Sequence, residues 1–549
     1  MNPKMQALLE KIRANRELES TFLNSAKKNF PSSTSSDAIE STDRFGKAIF
    51  LNEKQSKAVT LASSGKSCVI IGAAGTGKTT SQKESVTRLI QNGIAGILDA
   101  QDHKHLISGT PGIVVCAYTR RAVANIRKNM PADMASNCIT IHKLLEYQPV
   151  YYETPDENGD MKTKMVFEAT RNSHNPLPPS IHTIIFEETS MLGTDLYKEV
   201  IDACPHKPQL IFLGDIQQLP PVFGPAILGF KLLELPVVEL TEVYRQALES
   251  PIISLAHRVL SGNPIQKEEI PQWKKPGLTI SLWPKKVHPD KAMDSLALSF
   301  KNLYEKGAYD PEEDIILIPF NKACGTDELN KHIGNFLARK YNREVFEVIA
   351  GFNRIYLAPG EKVLYDKEDA IIRKIETNPA YSGAKPLPSS TTLDYWGYDP
   401  VRHESKENDL SDEAVDFMLQ QVASQGEDRV RQCSHILTLE MVDSEQIIRV
   451  DKAADINSLL LGYCLTVHKA QGSEWRKVFF VLHNSHATMV QRELLYTGIT
   501  RAKEELILIC EEDTLVKGIQ SQRVKGDTIE EKAEFFKGKI DAGFDLKGY

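Results

Sequence analysis

Residues 72–79 read GAAGTGKT, an order of residue types suited to holding phosphate. Glycines at 72, 75 and 77 let the backbone turn its amides toward anionic oxygens. The apolar run CVII (68–71) leads in and a helical pattern leads out, so a helix N-terminus adds partial positive charge. At this spacing Lys78 reaches the β- and γ-phosphates of a nucleotide, and Thr79 offers its hydroxyl to Mg2+; Thr76 and Thr80 flank them. A second stretch, IIFEETSM (184–191), sets two carboxylates, Glu187 and Glu188, at the end of an apolar strand. Neighbouring carboxylates repel. A solvated strand end tolerates them, but so do a metal ion and a lysine, and P-loop enzymes place a Mg2+-holding acid on just such a second strand. Glu187 is read as the acid facing the metal through water, and Glu188 as the group that orients and deprotonates an attacking water.

The next strand ends in LGDIQQLPPV (213–222), where Gln218 is placed to sense the γ-phosphate. Two arginines follow, Arg245 in LTEVYRQ (240–246) and Arg501 in LLYTGITRAK (494–503). Any single arginine is most simply a surface residue. Two supplied by a second core suit a nucleotide clamped between cores, where each stabilises transition-state charge. A P-loop alone does not choose among kinases, GTPases and motors; the lack of a guanine-reading NKxD stretch weakens the GTPase reading.

These residues need two scaffolds. Strand-length apolar runs alternate with helical stretches from residue 46: CVII, IVVCA (113–117), TIIF (183–186) and LIFLG (210–214), then IILI (315–318), VFFVL (478–482) and LILIC (506–510). The alternation predicts an α/β fold with two mostly parallel sheets and crossover helices. Two segments break it. Residues 146–180 carry Asn158-Gly159 between runs rich in Tyr, Val, Met and Phe, a β-hairpin signal. Residues 342–460 hold short β-like runs and a strongly charged middle at 400–430. The expected organisation is an arm and linker at 1–45, a first core at 46–236, a second core at 237–341 and 461–515, the β-rich insertion at 342–460, and a tail at 516–549. In the tail Thr528 and Glu531 form a capping-box pattern. Residues 1–45 are read as a brace or a partner-binding arm.

At 549 residues the chain exceeds one core, given roughly 100–200 residues per domain. Its net charge of −7 excludes a uniformly basic coat but leaves room for a local basic groove. No apolar run approaches membrane-span length, and the N-terminus lacks a signal-peptide centre. The eight cysteines are scattered without a CxxC pair, which disfavours zinc or a disulfide frame and suits a reducing, cytoplasmic setting.

In order along the chain, LNEKQ, GAAGTGKT, AYTRRAVANI, TIHKLL, FEETSM, GDIQQLPPV, LTEVYRQ, LTVHKAQGSEW and YTGITRAK resemble the motifs of superfamily 1 helicases, and TIHKLL with TVHKAQGSE is most similar to the RecD-like group, including its phage members. The match spans about residues 51–510. The resemblance implies two RecA-like P-loop NTPase cores, ATP and Mg2+ as cofactors, and 5′-to-3′ movement on single-stranded DNA with unwinding of forked duplex. It implies a monomeric motor in a bacterial or phage-infected cytoplasm; the arm at 1–45, outside the match, is a candidate site for a replication or recombination partner. It places the adenine on Gln55 and strand contacts around Thr119, His142, Thr466, His468, Lys469 and Gln471. It sets the 146–180 hairpin where the family has a strand-separating pin, with Phe167, Tyr151 or Tyr152 as the wedge, and an SH3-like domain at 342–460. The chain departs from the family in carrying Glu187 where Asp is usual, which bears on magnesium affinity. A translocase that strips proteins with little unwinding, a non-catalytic DNA-binding subunit and an RNA helicase remain alternatives.

Overall fold

The computed structural model describes residues 40–42, 48–94, 111–155, 161–221, 226–243, 249–283, 287–351, 353–365, 368–383, 433–442 and 446–541. The arm at 1–39, the charged stretch at 400–430 and Arg245 lie outside the described residues.

The strands Cys68–Gly72, Gly112–Ala117 and Gln209–Gly214 are buried at every position. Continuous apolar runs of this kind belong to parallel strands covered on both faces. They assemble a six-stranded sheet in the order Val237–Leu240, Cys68–Gly72, Gln209–Gly214, Ile181–Phe186, Gly112–Ala117, Cys138–Thr140. Every pairing in it is parallel. One face packs Val69, Ile71, Phe186 and Phe212 with Tyr197; the other packs Ile70, Val115, Ile185 and Leu213. Phe186 stacks on Phe212 with ring centroids 5.2 Å apart, so the strand that delivers the two acids is anchored up to the residue before them.

A second parallel sheet runs Leu278–Leu282, Ala502–Cys510, Trp475–Leu482, Ile315–Ile318, Cys464–Thr466. Along its central strand Val478, Phe480 and Leu482 enter one core while Phe479 and Val481 enter the other. The two-residue period of a strand thus fills both faces.

Antiparallel pieces are inserted within the sequence of each parallel sheet. Tyr147–Pro155 pairs with Met161–Ala169 in register from Tyr147↔Ala169 to Pro155↔Met161. Its Asn158-Gly159 turn and the side chains of Tyr151, Tyr152 and Phe167 lie outside what is described. A five-stranded sheet orders Ile447–Val450, His435–Met441, Glu368–Thr377, Lys362–Tyr365 and Leu460–Leu461, antiparallel throughout, over a core of Val363, Ile372, Leu437 and Leu439. Within the expected linker, Glu40–Thr42 pairs with Ala48–Phe50.

Beyond the second sheet the chain returns to the first. Asp527 meets Arg492 at 2.6 Å, and Thr528 Oγ1 accepts from the Glu531 amide at 3.2 Å to start the helix Ile529–Asp541. That helix lays Phe536 against Phe230, on the flank of the first sheet. All eight cysteines are free and buried. Among the described residues no helix is long and apolar enough to cross a membrane.

Candidate active site at the seam of the two parallel sheets

The phosphate-type loop is shaped by glycine and held from below. Gly75 and Gly77 sit at φ +82° and +84°, a region that costs side-chain-bearing residues roughly 1 kcal/mol. A Cβ on Gly72 would fall 2.4 Å from Thr76 Oγ1. Thr76 Oγ1 donates to the Ala73 carbonyl at 2.8 Å, and buried Gln55 donates from Nε2 to the Thr76 carbonyl at 2.9 Å. Gln55 also closes a capping box with Asn52, so it braces the loop as well as starting the helix Glu53–Ala62.

The 14-residue helix Lys78–Gln91 begins inside this loop, with Gly77 as an N-cap that offers no side chain. Its first-turn amides are therefore left to an external acceptor, and anions suit them. Lys78 Nζ bends over the loop and donates to the Gly72 carbonyl at 2.7 Å and the Ala73 carbonyl at 3.2 Å. Thr79 is exposed, with its hydroxyl open on the first turn. The lysine, the exposed hydroxyl and the free helix start together fit a nucleotide's phosphates and a magnesium ion.

Glu187 and Glu188 follow the strand Ile181–Phe186 and are half-buried. Burial, with Glu188 next in importance, pushes the Glu187 carboxyl up to about 7. Burial also raises Glu188, while the positive charges of Arg501 and Lys78 oppose the rise. Glu188 takes φ +49°, a left-handed conformation that its neighbours must enforce, and its amide donates to Glu187 Oε2 at 3.2 Å. A carboxyl raised this far is a ready ligand for a divalent cation, whose charge would restore its ionised form.

Arg501 comes from the second sheet's side. It is buried and held by the Thr497 and Ser473 carbonyls, each at 3.0 Å, yet its charge acts on Glu188. Lys78, both acids and Arg501 thus form one electrostatic neighbourhood built from both sheets. Gln218 is buried nearby in sequence to Asp215, and its Oε1 has no hydrogen-bond partner among the described residues.

The seam itself joins Tyr496 and Thr497, to which sequence reading gave no role, with Gln471, which it read as a strand contact. Tyr496, on the helix Arg492–Ile499 beside the second sheet, donates its hydroxyl to Asp215 Oδ2 at 2.5 Å and accepts the Ala74 amide of the phosphate loop at 2.6 Å. Thr497 Oγ1 accepts the Leu219 amide at 2.9 Å, and Gln471 Nε2 donates to the Leu219 carbonyl at 2.7 Å. A three-way junction lies farther along. Arg121 of the helix Arg120–Asn129 contacts Asp369 of the antiparallel sheet at 2.9 Å, and its guanidinium lies 4.2 Å over the Trp475 ring. Lys362 Nζ lies 3.7 Å from the same carboxylate. YTGITRAK and AYTRRAVANI contain the only sequence signal for Tyr496 and Arg121.

Two of the expected strand-contact segments meet, those around Thr119 and at 466–472. Thr119 caps the helix Arg120–Asn129 through the Ala122 amide at 3.1 Å and is buried. Gly472, at φ +74°, approaches it so closely that a Cβ would sit 3.0 Å from Thr119 Oγ1. His142 packs edge-on to Tyr118 and Tyr147 at 5.4 and 4.9 Å. Thr466 Oγ1 accepts the Lys469 amide at 3.3 Å. Burial, then Arg523, lowers the His468 pKa. Lys469 is exposed, whereas Gln471 is buried on Leu219. Of this set, Lys469 is the one charge open to solvent.

A family model described as an AAA domain matches residues 55–224, and one described as a UvrD-like helicase C-terminal domain matches residues 461–509. The first match encloses Lys78, both acids and Gln218; the second encloses Thr466–Gln471, Tyr496 and Arg501. The ATP-dependent RecD2 DNA helicase of Deinococcus radiodurans is 27% identical over 460 residues, 83% of this chain and 48% of that protein. This chain therefore spans about half the length of that relative. The ATP-dependent DNA helicase dda of Enterobacteria phage T4 is 31% identical over 198 residues, 35% of this chain and 37% of that one. A crystal structure of Pif1 helicase from Candida albicans is similar at a TM-score of 0.45 and 14% identity, covering 89% of this chain and 100% of that one.

Proposed function

The chain is a relative of the superfamily 1 helicases of the RecD-like group, and from that premise we propose that it is an ATP-dependent DNA helicase moving 5′ to 3′ on single-stranded DNA. The observation that carries the proposal is the seam itself: Tyr496 and Thr497, on the helix next to Arg501, bond directly to the phosphate loop and to the 215–219 turn that follows the strand Gln209–Gly214 of the first sheet. Coupling hydrolysis to movement requires a site completed only when two bodies meet.

In this reading Lys78 leaves the loop carbonyls for the β- and γ-phosphates, which the amides of 75–79 cradle. Thr79 and Glu187 would hold Mg2+, which when bound would neutralise phosphate charge. Glu188 orients the attacking water and takes its proton. Gln218 senses the γ-phosphate through its amide NH2, leaving Oε1, unpartnered among the described residues, free to accept from water, and Arg501 with Arg245 stabilises the charge that develops on the phosphate. Gln55, expected on the adenine, instead braces the loop from beneath, with its amide spent on the Thr76 carbonyl and the Asn52 amide. The two parallel sheets are assigned as RecA-like cores, the antiparallel hairpin as the pin that parts the strands, and the small antiparallel sheet as an SH3-like roof. A single strand would pass the Thr119, His142 and Thr466–Gln471 cluster, with Lys469 on its phosphates.

The test is unwinding of duplexes with a 5′ or a 3′ single-stranded tail under Mg2+ and ATP. Opening of the 5′-tailed duplex alone is expected. Opening of the 3′-tailed duplex alone refutes the direction, and opening of neither, with ATP still consumed, favours a translocase.

A further inference from the structure

Tyr496 lies in the second family match, but its hydroxyl bonds into the first. Its hydroxyl is shared between the Ala74 amide and Asp215 Oδ2, at 2.6 and 2.5 Å. Tyr496 and Asp215 are both buried, at 0% and 1% exposure, so neither bond is replaced by water when broken. Asp215 opens a tight turn: its Oδ1 accepts the Gln217 amide at 2.9 Å, and its carbonyl accepts the Gln218 amide at 3.1 Å. The turn ends at Leu219, whose two backbone groups are gripped by Thr497 and Gln471. Gln471 closes the segment Thr466–Gln471, which carries exposed Lys469. Contiguous bonds therefore run from that segment to Leu219, along the turn past Gln218, and through Tyr496 into the phosphate loop.

We propose that Tyr496 is a positioning residue for ATP turnover: its hydroxyl locks the phosphate loop to the 215–219 turn, so that a strand held at 466–471 sets the loop and Gln218 in register. The inference rests on the DNA-driven turnover proposed above. It follows from the geometry that a phenylalanine fills the same volume but leaves a buried amide and a buried carboxylate oxygen without their partner. The loop then keeps its shape from Gln55 and Thr76 but loses its tie to the strand side. A purely packing role for the ring would leave turnover unchanged.

The experiment measures ATP turnover by the full chain with and without saturating single-stranded oligonucleotide, for wild type, Tyr496→Phe, Asp215→Asn and the double variant. Asparagine keeps the Gln217 bond through Oδ1 but turns an NH2 toward a hydroxyl that must then stop donating. For Tyr496→Phe the stimulation ratio is expected to fall about tenfold, with the KM for ATP within about twofold of wild type. The double variant is expected to match Tyr496→Phe within about twofold, because Tyr496→Phe already removes the Asp215 contact that Asp215→Asn perturbs. A wild-type ratio in Tyr496→Phe, or a double-variant loss equal to the product of the single losses, overturns the inference. If Tyr496→Phe does not fold, Asp215→Asn carries the same expectation; failure of both to fold assigns the contact to folding and overturns it as well. Wild-type turnover indifferent to DNA overturns the function and the coupling together. Stimulated wild-type turnover with an unchanged Tyr496→Phe ratio overturns the coupling alone.

Discussion

Replacing Glu187 by glutamine removes a charge that the fold holds at a cost. In the native protein this carboxyl titrates at about 7 against an ordinary 4.5. The sign follows from proton binding. Between those two values the folded chain keeps a proton that the unfolded chain releases, so stability falls as pH rises through this window. The cost is absent below about 4.5 and complete above about 7. A rise of that size corresponds to roughly 3 kcal/mol, and screening at its partly exposed carboxylate reduces this to about 1–2 kcal/mol. Glutamine has the same shape and can still accept the Glu188 amide. In a unfolding unit of about 200 residues, Glu187→Gln is therefore expected to raise the melting temperature by about 2–5 °C at pH 8, with little change near pH 5. Scanning calorimetry in chelator, without nucleotide, measures this. Excess Mg2+ with ATP should then stabilise wild type more than the variant, because only the wild type regains a paired charge. An equal melting temperature at pH 8, or an equal rise at both pH values, would refute the reasoning that the two acids are strained until a cation joins them.

Arg121→Ala strips Asp369 of its nearest cation and bares the Trp475 ring, leaving Lys362 at 3.7 Å as partial compensation. A loss of about 2–4 kcal/mol in urea unfolding is expected, and Arg121→Ala with Asp369→Ala together should cost less than the sum; strict additivity would mean the pair is uncoupled. Phe167→Ala is expected to spare DNA-stimulated ATP turnover and to slow unwinding severalfold, read on the 5′-tailed duplex. Equal loss of both activities would mean that Phe167 serves folding.

The phosphate loop and the acid pair were readable because each is a short contiguous motif whose chemistry depends on immediate neighbours: a strand, a few glycines, a helix start. Parallel sheets were readable for a similar reason, since a strand buried on both faces writes an unbroken apolar run such as GIVVCA. The seam was not. Ala74 and Tyr496 are 422 positions apart, and Arg121 and Asp369 are 248 apart. No local pattern records such a pairing. Residue type also misleads where one group has two uses. Thr119, Gln55 and Gln471 look like ligand-facing polar residues in their motifs, yet each spends its polar atoms on the protein itself, as a cap, a loop brace and a tie to Leu219. The left-handed turn at Glu188 was equally hidden, because nothing in EETSM demands a positive φ.

The most direct test of the central claim, that one seam site binds ATP and hydrolyses it with chain acids, compares nucleotide binding with turnover in Lys78→Ala and Glu188→Gln under saturating single-stranded DNA. Glu188→Gln is expected to bind ATP near wild-type affinity while turnover falls by about a hundredfold or more, and Lys78→Ala to abolish turnover. Near-normal turnover in either variant would contradict the account.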